Sequence, residues 1–87
     1  PNMKQYEYTP HGVCSRQITI TLDDSGKIAA LKFLGGCHGN LQGISALAVG
    51  QTPEELVNRL EGIDCRGKGT SCPDQLAQAL KQIIQES

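Results

Sequence analysis

The stretch Gly35-Gly36-Cys37-His38-Gly39 marks the place where the hydrophobic period of this chain changes. Before it, apolar and polar residues alternate as they do in strands. After it, apolar residues recur at three and four positions, as they do in helices. The chain is therefore constrained to build its strands first and its helices second. A cysteine stands at the turning point, placed to point outward from a rigid corner.

Upstream, Tyr6-Glu7-Tyr8-Thr9 is a short alternating run and reads as a first strand, broken by Pro10-His11-Gly12. Arg16 to Leu22 alternates cleanly, with Ile18, Ile20 and Leu22 on one side and Gln17, Thr19 and Thr21 on the other. That is the pattern of a half-buried strand. Asp23-Asp24-Ser25-Gly26 is turn chemistry, and Lys27 to Leu34 is the returning strand of a hairpin. Its pattern is mixed: Ala29, Leu31 and Phe33 compete with Ile28, Ala30 and Leu34 for the buried side.

Downstream, Leu41, Ile44, Leu47 and Ala48 predict a helix over 40–49, ended by Gly50. Gly43 inside it costs about 1 kcal/mol relative to alanine, which predicts a close packing contact at that point. Thr52-Pro53-Glu54-Glu55 is a helix start, with Thr52 as cap, Pro53 in the first position and Glu55 closing a capping box. Leu56, Val57 and Leu60 form its buried side, and Gly62 ends it. After a loop over 63–71, Pro73 is expected in the first position of a last helix, which makes Cys72 the cap residue. Leu76, Leu80, Ile83 and Ile84 form its apolar stripe. Strands followed by helices predict an α+β fold: an antiparallel sheet of about three strands, then three helices packed on one face. The whole of residues 1–87 reads as one domain. Met3 reads as the natural start, with Pro1-Asn2 a remnant ahead of it.

A domain this short buries only roughly 60–65% of its unfolded surface, so extra fastening would help. Cysteines can supply it. A net charge of −1 with no basic stripe, one Phe and two Tyr exclude a nucleic-acid-binding surface. No apolar run approaches the roughly 20 residues that span a bilayer, so no membrane is expected. The amino-terminal residues lack an apolar signal segment, which predicts a cytoplasmic address. In a reducing compartment, cysteines read as metal or redox ligands before structural disulfides. A protein partner is expected but its identity is not legible. The helix layer or the first strand, a sheet edge, could also form a homodimer.

The chain has four cysteines, spaced Cys14-x22-Cys37-x27-Cys65-x6-Cys72. A tetrahedral structural zinc site wants four thiolates, and iron–sulfur clusters prefer them too. None of the intervals is a C-x2-C knuckle, so placement carries more weight than spacing. Cys14 precedes the central strand and Cys37 follows its hairpin partner, which puts both at one end of the sheet. Cys72 at a helix start benefits from backbone amides that stabilise a thiolate. Glycines around Cys65 let its loop bend. All four are expected as metal ligands, with Arg66 and Lys68 offsetting the negative charge of a four-thiolate site. Other readings stay open: buried cysteines acting as small hydrophobes, two disulfides, or a redox pair, Cys65 with Cys72. His38 is a secondary candidate that reads better as a surface residue, and His11 has no assigned role. Gly62 to Gly69 grazes the phosphate-loop pattern G-x-x-x-x-G-K-[ST], with Gly69 where the hydroxyl residue belongs. No residue set suggests hydrolysis, and no catalytic residue is expected.

The string Gly69-Thr70-Ser71-Cys72-Pro73-Asp74, together with all four cysteines, resembles the TSCPD family over nearly the whole chain. The same module resembles the C-terminal region of adenosylcobalamin-dependent ribonucleotide reductases. That resemblance implies a thiol-redox accessory role in ribonucleoside-diphosphate reduction and DNA precursor synthesis. A chain of this length cannot house the radical barrel of a reductase. From Cys14 to Ile84 the chain is also similar to U-type iron–sulfur cluster scaffolds. Cys14, Gly36-Cys37 and Cys72 fall where those scaffolds carry their cysteines, and Gly50-Gln51-Thr52-Pro53-Glu54-Glu55 falls at their inter-helix connection. The departures are Arg16 in place of an aspartate, Ser71 in place of a histidine, and Cys65, which is additional. A fourth cysteine implies a more closed site and stable binding. The combined expectation is a small metal-binding protein, zinc or iron–sulfur, that is not catalytic by itself. The alternatives are the redox accessory and an interaction module whose cysteines only buttress its loops.

Overall fold

A computed structural model describes residues 3–86; the remnant expected at Pro1-Asn2 lies outside the described residues. Strands β1 (Lys4–Tyr8), β2 (Ser15–Leu22) and β3 (Ile28–Gly35) precede helices α1 (His38–Ala48), α2 (Pro53–Leu60) and α3 (Cys72–Glu86). The strands form one antiparallel sheet in the order β1-β2-β3. The α+β expectation therefore holds. β2 alternates as its sequence demands, with Ile18, Ile20 and Leu22 buried. Their opposite numbers across the sheet share that side: Tyr8 and Tyr6 on β1, Phe33 and Leu31 on β3. All three helices add to this core through Ala48, Leu56, Leu76, Leu80 and Ile83.

Two register shifts interrupt the β2–β3 pairing. Thr21 faces Ala30 but Leu22 faces Ile28, so Ala29 is an extra residue. That bulge explains the mixed pattern of β3. Ile28 and Leu31 are both buried, at 1% and 6% exposure, although three positions apart. The second shift is at Arg16: Ser15 faces Gly35 and Gln17 faces Leu34. An extra residue reverses the side on which everything before it points. Strict alternation from Ile18 would put Ser15 on the outer side; the bulge turns it inward, and it is 3% exposed.

The hairpin turn is held by Asp23, whose Oδ1 accepts from the Ser25 amide at 2.9 Å, the Ser25 hydroxyl and the Lys27 amide. The Ser25 hydroxyl, foremost among these, lowers the Asp23 carboxyl below its ordinary value. α2 begins as expected, with Thr52 Oγ1 accepting from the Glu55 amide at 3.2 Å. The other half of the expected capping box does not form, because the Glu55 carboxylate turns to Arg59 Nε at 2.9 Å. α3 is the most deeply buried helix, and its Leu76 and Leu80 are fully covered. Its 15 residues extend about 22 Å, from the Ser15 end of the sheet towards the Leu22 end. There Ile83 and Ile84 share a pocket wall with Lys4 and Leu22.

α1 is sparsely buried along its 11 residues, with only Leu41 and Ala48 covered. The close contact expected at Gly43 is absent: a Cβ there would meet nothing within 4 Å. The close approach falls at Gly36 instead. That residue has φ +85°, and a Cβ on it would lie 2.7 Å from Leu41 Cδ1.

Candidate functional site

The carboxyl-terminal helix start is offset by one residue from the sequence expectation. Ser71, not Cys72, caps α3: its Oγ accepts from the Asp74 amide at 3.1 Å, and its carbonyl accepts from the Gln75 amide at 2.8 Å. Cys72 is the first helical residue and Pro73 the second. A serine hydroxyl is the better cap, and with that task taken the Cys72 sulfur is free to turn elsewhere. Of the four cysteines it is Cys37 that occupies a cap position, before α1, with its carbonyl accepting from the Leu41 amide at 2.9 Å.

Residues 70–75 form a clamp around that start. Thr70 Oγ1 donates to Asp74 Oδ2 at 2.6 Å and accepts from Gln75 Nε2 at 2.9 Å. The Ser71 hydroxyl donates to the Ile63 carbonyl at 2.6 Å. Asp74 Oδ1 accepts from the Gly62 amide at 2.7 Å and from Gln78 Nε2 at 3.3 Å. Gln75 Oε1 accepts from the His11 amide at 2.9 Å and from the Tyr8 hydroxyl at 3.3 Å, which ties in the β1–β2 connection. Burial alone would raise the Asp74 carboxyl. The Thr70 and Gly62 hydrogen bonds, helped by Gln78 and the charge of Lys81, outweigh it and hold the group below its ordinary value. This network was not legible in the sequence. Its signal is the i, i+4 spacing of Thr70 and Asp74 across a helix start.

The cysteine-bearing segments meet at one end of the sheet. Ser15, next to Cys14, pairs with Gly35. The Gly36 backbone lies against Ser15, so that a Cβ at Gly36 would be 3.4 Å from the Ser15 nitrogen. Cys37 follows at once. From the opposite layer Cys72 Sγ lies 3.2 Å from Ser15 Oγ. The loop of Cys65 folds back through its amide, which donates to the Thr70 carbonyl at 3.0 Å.

The sulfurs themselves are all free thiols; Cys14, Cys37 and Cys65 are exposed and Cys72 is half-buried. The readings as buried hydrophobes or as two disulfides are therefore corrected. Four thiols fit a soft metal in kind. Among the described residues, however, no group of three His, Cys, Asp or Glu stands where it could hold a metal ion. The backbone brings the segments together, and the side chains stop short of a ligand cage.

His38 is exposed at the start of α1 and accepts from Gln42 Nε2 through a ring nitrogen. It lines an open cavity of about 430 Å³ with Phe33, Gly35, Gly36 and Leu41. Arg66 and Lys68 sit exposed at the tip of the Cys65 loop, and Arg66 takes the left-handed conformation at φ +55°. The phosphate-loop reading fails there. The amides of Gly67 and Gly69 donate to the Asp64 carboxylate, so the loop fills its own anion cradle. A helix, not a strand, precedes it. No helix among the described residues is long and apolar enough to cross a membrane.

Fold and site together define a small α+β domain with four free cysteines carried on segments that meet beside one helix start. The family model described as TSCPD domain matches residues 2–84. The chain belongs to the TSCPD-domain family. No curated protein and no solved structure gives a significant match.

Proposed function

We propose that this chain is a non-catalytic four-thiol domain that binds zinc or an iron–sulfur cluster through Cys14, Cys37, Cys65 and Cys72. The observation that carries this reading is the 3.2 Å approach of Cys72 Sγ to Ser15 Oγ, beside Cys14 and across the hairpin end from Cys37. Elements distant in sequence are locked together there by backbone pairing and by the Asp74 clamp. The bound ion would supply a charge that orders exposed thiolates, and Arg66 and Lys68 would offset the excess negative charge. Binding of this kind is folding free energy for a small domain. The test is metal analysis of anaerobically purified full-length chain. About one zinc, or an iron–sulfur chromophore, per chain or dimer is expected. Metal-free protein, no less stable when all four cysteines are changed to serine, would end the reading.

A second reading is a thiol–disulfide accessory to ribonucleotide reduction, in line with the family resemblance. The observation that favours it is that all four sulfurs are free and none is fully buried. Thiol titration separates the two. A relay shows one pair that oxidises reversibly. A metal site protects the thiols until a chelator is added.

A further inference from the structure

We propose that the groove between α1 and α2 is the contact surface for a second copy of this chain, with Leu47 of each copy seated in the groove of the other. The groove has a volume of about 270 Å³ and is walled by Ile44 and Ala48 of α1 and by Leu56 and Leu60 of α2. Leu47 stands on its rim at 79% exposure, the highest of any large apolar side chain among the described residues. One face therefore carries an apolar projection and an apolar recess side by side. A two-fold axis makes such a face complementary to itself, because each projection meets the recess of the other copy. Charge says which partner fits. From Phe33 to Pro53 the chain has no Asp, Glu, Lys or Arg, although 20% of all its residues are charged. α1 lies wholly within that run. The one charged side chain that lines the groove, Arg59, is already paired with Glu55 at 2.9 Å. A strongly charged partner would find nothing there to pair with, whereas a second copy meets no self-repulsion. Charge depleted at the centre and kept to the rim is also the make-up of protein interfaces. The face is small: helices of 11 and 8 residues side by side span roughly 16 by 20 Å. A standard interface takes about 800 Å² from each partner, so this pairing is weak and forms only at high concentration.

The test is sedimentation velocity of the reduced full chain from about 10 μM to about 1 mM, with and without a chelator. The average mass should rise towards that of two chains, equally in both conditions. Leu47→Glu puts a charge on an exposed side chain, so it should fold normally and stay a single chain throughout. Leu47→Ala, which trims the projection and adds no charge, should weaken the pairing about fivefold. Leu34→Glu puts the same charge on another exposed leucine, away from the groove, and should associate as the native chain does. A native chain that is single at 1 mM overturns the proposal and leaves the face to some other protein. Association that survives both Leu47 variants, or that Leu34→Glu abolishes equally, overturns it too. So does association lost on adding chelator, which would mean that metal bridges the chains. Because the readout is mass and not bound metal, failure here leaves the four-thiol reading standing.

Discussion

The carboxylate of Asp74 accepts the amide of Gly62 at 2.7 Å, joining the end of α2 to the first turn of α3. The same carboxylate takes the Thr70 hydroxyl. Asp74→Asn keeps the size but loses the charge, and should lower stability by about 1–3 kcal/mol at pH 7, as expected for a buried charge-assisted network. The pH dependence has a definite sign. The carboxyl is held below its ordinary value in the folded chain, so its contribution is present in full above that ordinary value, about 4. It is lost as the pH falls through the folded value. Urea midpoints at pH 7 and pH 3 should converge for the native chain and Asp74→Asn. Parallel decline of the two would rule this out.

Gly36 has both a left-handed backbone and a neighbour where a side chain would go. Gly36→Ala should cost roughly 1–2 kcal/mol for the conformation. A further amount, roughly 1–3 kcal/mol, comes from crowding Leu41, which is only 4% exposed and has little room to move. A thermal midpoint within error of the native value would show that the corner yields more easily than the packing implies.

Gly43 is the opposite case. It lies inside α1, faces open space and needs no special φ. Gly43→Ala should therefore stabilise the chain by about 1 kcal/mol. In a domain of this size that is roughly 4–8 °C of thermal midpoint. A fall in the midpoint would reveal a contact to that side of α1 made in solution.

Arg66 combines two opposed roles. Its left-handed backbone is strained for a non-glycine residue. Arg66→Gly should relieve about 0.5–1 kcal/mol, net of the greater freedom of glycine in the unfolded chain. The same change removes a cation from beside the proposed four-thiolate site, and zinc affinity should drop about two- to fivefold, less at high salt. Calorimetry and competitive zinc titration would read the two effects separately. Unchanged affinity at low salt would remove Arg66 from the site.

The layered architecture was legible because its main signals are local. The alternation of Ile18, Ile20 and Leu22, the turn at Asp23–Gly26 and the Thr52-Pro53 start depend on near neighbours alone. β3 was ambiguous because the bulge at Ala29 puts Ile28 out of phase with Leu31 and Phe33, and because Leu34 is apolar yet exposed. The α3 start was placed one residue late because Pro73 is acceptable in either of the first two positions and was read as the first, whereas Ser71, the better cap, takes the Asp74 amide and makes Pro73 the second. The preference of Gly43 was misread because a helical glycine carries no mark of what stands beside it. The cysteine segments were brought to one end of the sheet by hairpin logic. That Ser15 faces inward depends on an inserted residue at Arg16 that no local pattern announces.

The first strand begins at Lys4, opposite Leu22, and α3 finishes near the same place, while Ser15 and Cys72 lie at the other extremity. The start of β1 and the last turn of α3 thus share the pole remote from Ser15 and Cys72. The sulfur-bearing tip of the domain therefore stands at the far end of α3 from the edge where β1 begins.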